Sequence, residues 1–357
     1  MNNSSTISIA IPAYNEANYI ESVIKGFLNQ NHPNLLEIIV ADGGSNDGTQ
    51  EIIKKIALED NRVKLLNNPF KIQSAGLNLI FENCQGDIFL RADAHSEYAP
   101  DYIEKCIEVL ESSQALNVGG SQRHVARNTF QGGVALAFRS FLAGTAKYHD
   151  YNYNGYADTV YLGCFLTKIL KEIVNQNPRK ELFDTTNVTN QDAELNLQLL
   201  EISEKSIYIS SDIKVWYSPR DNWRKLFIQY FKYGRGRYLT TQKHPKKAPL
   251  RTKIPVFFLI AYLLILIIAF YFNYGWTFFF LSIIGILSIF FVEAVRVFSL
   301  YFPNFTEEIW RGDKDKQPNA LLIFLSCFIS LITMPISYLL GNIYQRYRNT
   351  IKGVDGW

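Results

Sequence analysis

The chain has 357 residues, longer than one average domain, and predicts about two structural units. Hydrophobic residues make up 48% and charged ones 19%, which excludes a disordered, collagen-like or disulfide-stapled class. Thirty-six Lys and Arg against 33 Asp and Glu leave a net charge of +3, too close to balance for a dedicated nucleic-acid binder, so no nucleic-acid partner is expected.

The start, MNNSSTISIAIPAYNE, lacks the basic and then long apolar run of a signal peptide, so the N-terminal half is expected to stay in the cytoplasm. Cys84, Cys106, Cys164 and Cys327 form no CxxC pair and fit a reduced compartment. Thr6–Ala10, Glu37–Ala41, Val63–Leu66 and Asp87–Arg91 read as strands. Tyr19–Asn29, Thr49–Leu58 and Ser74–Phe81 read as the helices between them. Strands separated by helices predict an α/β fold with a doubly wound, mostly parallel sheet, whose ligands sit at the carboxyl ends of the strands. The polar runs PAYNE, DGGSNDGT and ADAHSE follow three of these strands, so all three are expected on one edge of one sheet.

Residues 219–253 hold eleven Lys and Arg against Asp221 alone, a net of +10, so the rest of the chain carries −7. Within them Trp223, Leu226, Phe227, Tyr230 and Phe231 recur at helical spacing. The pattern suits a basic amphipathic helix in the headgroup layer, or a core-facing helix with a solvated polar face. Residues 254–272, 276–292 and 320–343 carry no charge, which predicts about three membrane helices, the second running on past Glu293 and Arg296. Positive flanks remain cytoplasmic, which places the N-terminal half at the inner face of a multi-pass cytoplasmic membrane protein. Three crossings leave Arg346, Arg348 and Lys352 outside, against the same rule, unless one segment is re-entrant or interfacial. The expected parts are 1–218, 219–253, 254–343 and a basic tail 344–357.

Asp93 and His95 follow a strand directly and can both reach one divalent cation, Mg2+ or Mn2+. Asp42 ends a strand and opens DGGSNDGT; it can accept hydrogen bonds from a nucleoside, or simply build a turn. Ser45 or Asp47 is expected to cap the helix from Thr49. Pro12, Tyr14 and Glu16 combine a rigid backbone, an aromatic face and a carboxylate. Asp192 lies in the first turn of DAELNLQLL, where it serves equally as a capping carboxylate or as a general base. No HExxH, GxSxG or GxxxxGK[ST] motif is present, so metalloprotease, serine hydrolase and P-loop NTPase readings have no support.

Taken in order, IPAYNE, ADGGSNDGT, SAGLN with RADAH, and NQDAEL resemble the motif series of family 2 inverting glycosyltransferases of GT-A fold, over about residues 6–240. RADAHSEYAPDY, YLGCF and QYFKYGRGR are most similar to membrane-anchored bacterial enzymes of exopolysaccharide synthesis, the succinoglycan-type glucosyltransferase group. The resemblance implies transfer of a hexose from a nucleoside diphosphate sugar, with a UDP-sugar as the expected donor, to a polyprenyl-linked acceptor. It also implies that Asp42, Pro12, Tyr14 and Glu16 line the nucleotide pocket, that Asp93 and His95 take the metal-binding DxD position, and that Asp192 is the base. Arg91 joins the substrate-binding set. Gln191 stands where the family has Glu, and the QxxRW motif of processive synthases is replaced by Gln229–Tyr233. Gln229, Arg235 and Arg237 are expected to hold a pyrophosphate instead. A polyprenyl-phosphate glycosyl synthase is the alternative within the same chemistry, and a nucleotide-sensing membrane protein without catalysis lies outside it.

Overall fold

The computed structural model describes residues 5–143, 146–186, 189–245, 254–313, 318–354 and 356–357. Its first half follows the predicted alternation: β1 (Ile7–Ala13), α1 (Ile20–Leu28), β2 (Leu35–Asp42), α2 (Thr49–Glu59), β3 (Val63–Asn67), α3 (Gln73–Asn83) and β4 (Ile88–Arg91). The strands β3-β2-β1-β4 lie side by side and parallel, with Ile9 opposite both Ile38 and Leu90. The strands β1, β2 and β4 are mostly apolar because both of their faces are covered, whereas β3 at the edge is partly exposed. Ile9, Ile11, Ile38 and Val40 enter one core, while Ala10, Ile39 and Ala41 enter the other.

Beyond β4 the sheet continues in directions that the sequence patterns did not indicate. β5 (Ser96–Tyr98), α4 (Tyr102–Ser113), β6 (Asn117–His124), β7 (Gly155–Tyr156), β8 (Tyr161–Leu166), α6 (Thr167–Gln176), α7 (Gln191–Ile202) and β9 (Ile207–Tyr217) build it, with α5 (Thr129–Ala137) inserted after β6. The spatial order β4-β8-β6-β9-β5 starts with antiparallel pairing of β8 on β4, and β7 pairs with β9. A side-chain carbon on Gly120 of β6 would collide with the Ile213 carbonyl of β9, so glycine is required there.

The chain divides into two compact units, Met1–Arg123 with Ala146–Tyr217, and His124–Thr145 with Ser218–Trp357. The second unit resumes at Ser218, next to the expected boundary, and it also takes in His124–Thr145 with α5, a stretch expected to belong to the first part. Gly132 of α5 packs on Phe305 and Ile323, and Gly133 packs on Ser326 and Cys327, contacts between segments far apart in sequence that no local pattern reveals.

The helical unit contains α8 (Trp223–Lys243), α9 (Ile254–Tyr271), α10 (Gly275–Tyr301), the single turn α11 (Phe305–Glu308) and α12 (Ala320–Lys352). Among the described residues α10 and α12 pass a test of length and composition for membrane-crossing helices, and α9 is an apolar helix just below that length. The basic tail expected from 344 is helical as far as Lys352, being the last turns of α12. Of the expected headgroup segment, 223–243 is α8, and Lys246, Lys247, Arg251 and Lys253 lie outside the described residues. Leu226 is buried while Trp223 is half exposed, so the aromatic stripe of α8 faces partly into the unit and partly out of it.

Candidate active site

The sequence order β1, β2, β3 steps one way across the sheet, and β4 then pairs on the other side of β1. The carboxyl ends of β1 and β4 therefore form the topological switch point, the place where a doubly wound sheet opens a crevice. Pro12 falls there for a physical reason. Pairing of β1 with β4 runs only from Ile7–Ile88 to Ala10–Arg91, so the amide hydrogen that Pro12 lacks is not needed by β4.

The loops after β1 and β2 are tied to each other. The amides of Asn15, Glu16 and Ala17 donate to Ser45 Oγ, Thr49 Oγ1 and Asp47 Oδ2 at 2.7, 2.8 and 3.1 Å. Asn46 N returns a bond of 3.0 Å to Asn15 Oδ1. Asn15 is left-handed at φ 56°, a conformation Asn tolerates better than most residues. Tyr14 is exposed, 54% of its surface open, against Gly43. Asp47 also accepts the Thr49 amide and hydroxyl at 3.1 and 2.6 Å, but the N-cap of α2 is Gly48, so Asp47 supports the helix start from one residue before the expected cap position.

Asp42 is buried, and its carboxylate accepts Gly44 N and Ser45 N at 2.9 Å, Gln50 Nε2 at 2.6 Å, and the Ser45 hydroxyl. The turn-building reading of this residue is therefore satisfied in full. A nucleoside contact requires the exchange of one bond, and Gln50 holds the one made by a side chain from outside the turn.

The loop after β4 carries the other charged groups. His95 Nδ1 lies 3.1 Å from Glu16 Oε1, which orients the imidazole across from β1. Asp93 receives Gln73 Nε2 at 3.4 Å and the Tyr161 hydroxyl at 3.3 Å, and its amide donates to the Tyr98 hydroxyl at 2.7 Å. Burial, followed by the Asp93 charge, pushes both phenols well above their ordinary range, so they remain neutral donors. Gln191 is buried at the start of α7 and donates to Gln73 Oε1 at 2.6 Å. Gln191, Gln73 and Asp93 thereby form one hydrogen-bonded chain from α7 to β4. The next residue, Asp192, is half exposed and accepts only its neighbour Ala193 N among the bonds resolved, at 2.8 Å.

Arg91 lies between the two acids. Its side chain is 5% exposed, with Nη2 3.7 Å from Asp93 Oδ1 and Nη1 3.6 Å from Asp192 Oδ2. Neither distance is a hydrogen bond, and Nε and Nη1 have no hydrogen-bond partner among the described residues. Burial works against the charge, but Asp93 and then Asp192 outweigh it, and the guanidinium is held above its ordinary value. A fixed cation with two unused donors, flanked by two carboxylates at a sheet's switch point, suits a polyanionic ligand.

Among the described residues no three His, Cys, Asp or Glu side chains converge as a metal cage. Asp93 and His95 offer one oxygen and one nitrogen, which fits a Mg2+ or Mn2+ ion that takes its remaining ligands from substrate phosphates and water. Gln229, Arg235 and Arg237 are elsewhere, on α8 of the helical unit. Gln229 Nε2 donates to Tyr233 at 2.9 Å; Arg235 Nε donates to Gln345 at 2.8 Å, and its guanidinium lies 4.0 Å over the Trp357 ring. Arg235 is thus engaged in packing α8 on the last turns of α12. Residues missed from sequence are Gln73, Tyr98 and Tyr161. Gln73 borders SAGLN, and Tyr98 and Tyr161 lie inside RADAHSEYAPDY and YLGCF, so the motifs passed close to all three without assigning them a role.

The glycosyl transferase family 2 model matches residues 8–175. The succinoglycan biosynthesis protein ExoA of Rhizobium meliloti is 34% identical over 251 residues, 70% of this chain and 74% of its own length. The chain belongs to glycosyl transferase family 2. A second relative, the dolichyl N-acetyl-alpha-D-glucosaminyl phosphate 3-beta-D-2,3-diacetamido-2,3-dideoxy-beta-D-glucuronosyltransferase of Methanococcus voltae, is 29% identical over 66% of this chain and 74% of its own. The fold matches mannosyltransferase PcManGT from Pyrobaculum calidifontis, solved with GDP-Man and Mn2+, at a TM-score of 0.56 and 14% identity, covering 96% of this chain and 87% of that one. A family 2 sheet of GT-A type followed by apolar helices is what the motif series implied, and the chain is a transferase.

Proposed function

We propose that the protein transfers a hexose from a UDP-sugar, with inversion, to a hydroxyl of a polyprenyl-linked saccharide at the cytoplasmic face of a membrane, in exopolysaccharide or cell-surface glycan synthesis. The observation that carries this reading is the placement of Asp93 and Asp192 on either side of the buried Arg91 at the switch point. Asp192 takes the proton from the acceptor hydroxyl, whose oxygen attacks the anomeric carbon as the bond to the diphosphate breaks on the opposite face. Arg91 offers Nε and Nη1 to the diphosphate and stays charged as negative charge grows there. Asp93 and His95 would hold a Mn2+ or Mg2+ ion, with Glu16 orienting the imidazole; such an ion would supply neutralisation of the leaving diphosphate.

Tyr14 stacks on the base, Pro12 shapes the strand end beneath it, and Asp42 exchanges its Gln50 bond for the nucleoside. Arg237, with the other cations of α8, faces anionic groups of the acceptor or of the lipid; Gln229 and Arg235 support that helix from within. The kinship to a succinoglycan biosynthesis protein supports the class of product, and the apolar helices support the membrane site.

The test is incubation of membranes carrying the protein with a panel of labelled UDP- and GDP-sugars, followed by lipid extraction. Label from one UDP-sugar in the lipid fraction is expected. No incorporation from any donor refutes the reading.

A further inference from the structure

Three stretches of the chain are uncharged, yet three crossings would leave a basic tail on the wrong side. Packing inside the helical unit resolves the conflict. The helix α12 is lined along one face by two others. Near its start, Gly133 of α5 lies against Ser326 and Cys327, and further on Trp223 Nε1 of α8 donates to Thr333 Oγ1 at 2.9 Å. From there α8 and α12 run parallel: Gly234 meets the Tyr338 carbonyl, Gly341 meets the Phe231 carbonyl, and Arg346 lies 5.0 Å over the Tyr238 ring.

Neither lining helix can lie in hydrocarbon. The α5 segment leaves β6 and returns to β7 through a nine-residue helix, about 14 Å long and too short to cross and come back. The α8 helix carries Arg224, Lys225, Lys232, Arg235, Arg237 and Lys243. A crossing by α12 would draw these cations through the bilayer or strip off the helices that cover it. The uncovered face of α12, with Leu322, Leu325, Ile329, Ile336 and Leu340, is apolar and exposed, the character of a helix lying in the acyl boundary.

The α9–α10 pair has the opposite character. Ile254–Tyr271 and the first 18 residues of α10 are uncharged, each about 27 Å long, close to the hydrocarbon thickness. They are antiparallel, with the hydroxyls of Tyr262 and Ser282 3.0 Å apart, and Phe258, Ile267, Ile284, Ile289 and Val292 are exposed. The tip between them has no charge to translocate and carries an aromatic girdle of Tyr271, Tyr274 and Trp276, all exposed. The hairpin ends where Glu293 accepts Ser140 at 2.6 Å and pairs with Arg296, back among the residues that follow α5.

We propose that only the α9–α10 hairpin crosses the bilayer, twice, while α12 lies in the plane of its anionic inner face. The tail with Arg346, Arg348 and Lys352 is then on the catalytic side. This deepens the membrane part of the proposed function and is independent of sugar transfer: a protein that transferred nothing would still show this topology. All four native cysteines are buried, so single cysteines can be introduced into the full chain as Tyr274→Cys and Val354→Cys and treated with a membrane-impermeant maleimide. In intact bacterial cells position 274 is expected to label and position 354 not to; in inverted vesicles the pattern reverses. Labelling of 354 from outside shows that α12 crosses, and labelling of 274 only from inside shows that the hairpin does not; either overturns the proposal. A C-terminal reporter on the otherwise unchanged chain repeats the assignment of the tail if a cysteine variant fails to accumulate.

Discussion

Replacing Arg91 by Met keeps the hydrocarbon stem of a buried side chain and removes its charge and its fork of donors. At 3.6 Å and an effective dielectric constant of about 20, a charge pair such as Arg91 and Asp192 is worth about 4–5 kcal/mol. Asp192 is 42% exposed, so solvent screening brings the usable part down to about 1 kcal/mol. The larger effect falls on the reaction, because Nε and Nη1 make no hydrogen bond among the described residues and can donate to the leaving diphosphate. Loss of one preorganised donor to developing negative charge costs about 10²–10³ in rate. The expected result is therefore a fall of about 10²–10³ in kcat/KM for Arg91→Met, with Arg91→Lys recovering part of it by restoring charge without the fork. Steady-state transfer from the labelled donor, read beside a thermal melt that shows the variant folded, measures this. A folded Met variant within about threefold of wild type, less than 1 kcal/mol, refutes the role given to Arg91.

Asp93→Ala is expected to abolish the dependence of nucleotide binding on Mn2+, measured by calorimetry with and without the ion; the same affinity gain from Mn2+ as in wild type removes Asp93 from the metal site. Glu37, in β2, is buried and holds Ser8, Lys64 and the Gln85 amide. Burial raises its pKa, but these partners together outweigh burial and hold its carboxyl below the ordinary range. Its contribution is thus present above the ordinary carboxyl pKa near 4.3 and lost as pH falls through the lower folded value. Glu37→Gln is expected to cost about 1.5–3 kcal/mol at pH 7, with the gap in Tm to wild type closing as pH drops toward 3. A gap that stays constant across that range contradicts this account.

The parallel half of the sheet was legible because β1, β2 and β4 are apolar on both faces and are separated by helical periodicities. The antiparallel half was not: β6 reads NVGGSQRH, where Gly120 serves a close approach to Ile213 and Asn117 donates to Asn196, and neither role shows as alternation. In β9, Ile207, Ile209, Ile213 and Val215 are buried on a two-residue period, a signal that was there to be read. At the site, the acids stood out through their place at strand ends, whereas the residues that orient them came from unlinked segments. Gln73 joins Gln191 to Asp93, and Tyr161 reaches Asp93 from a strand 68 residues away. The full engagement of Asp42 by its own turn and by Gln50, and the coverage of α12 by α5 and α8, likewise depend on packing between distant segments.

The central claim is that Asp192 removes the proton from the acceptor. Its most direct test is transfer from the labelled UDP-sugar to lipid by membranes carrying Asp192→Asn, beside UDP-sugar affinity of the same variant. The amide is nearly the same size and leaves the first turn of α7 intact, so affinity is expected to be unchanged while transfer falls by about 10²–10⁴, the range of general-base catalysis. Transfer at the wild-type rate would contradict the account and point to an acceptor already ionised, such as a lipid phosphate.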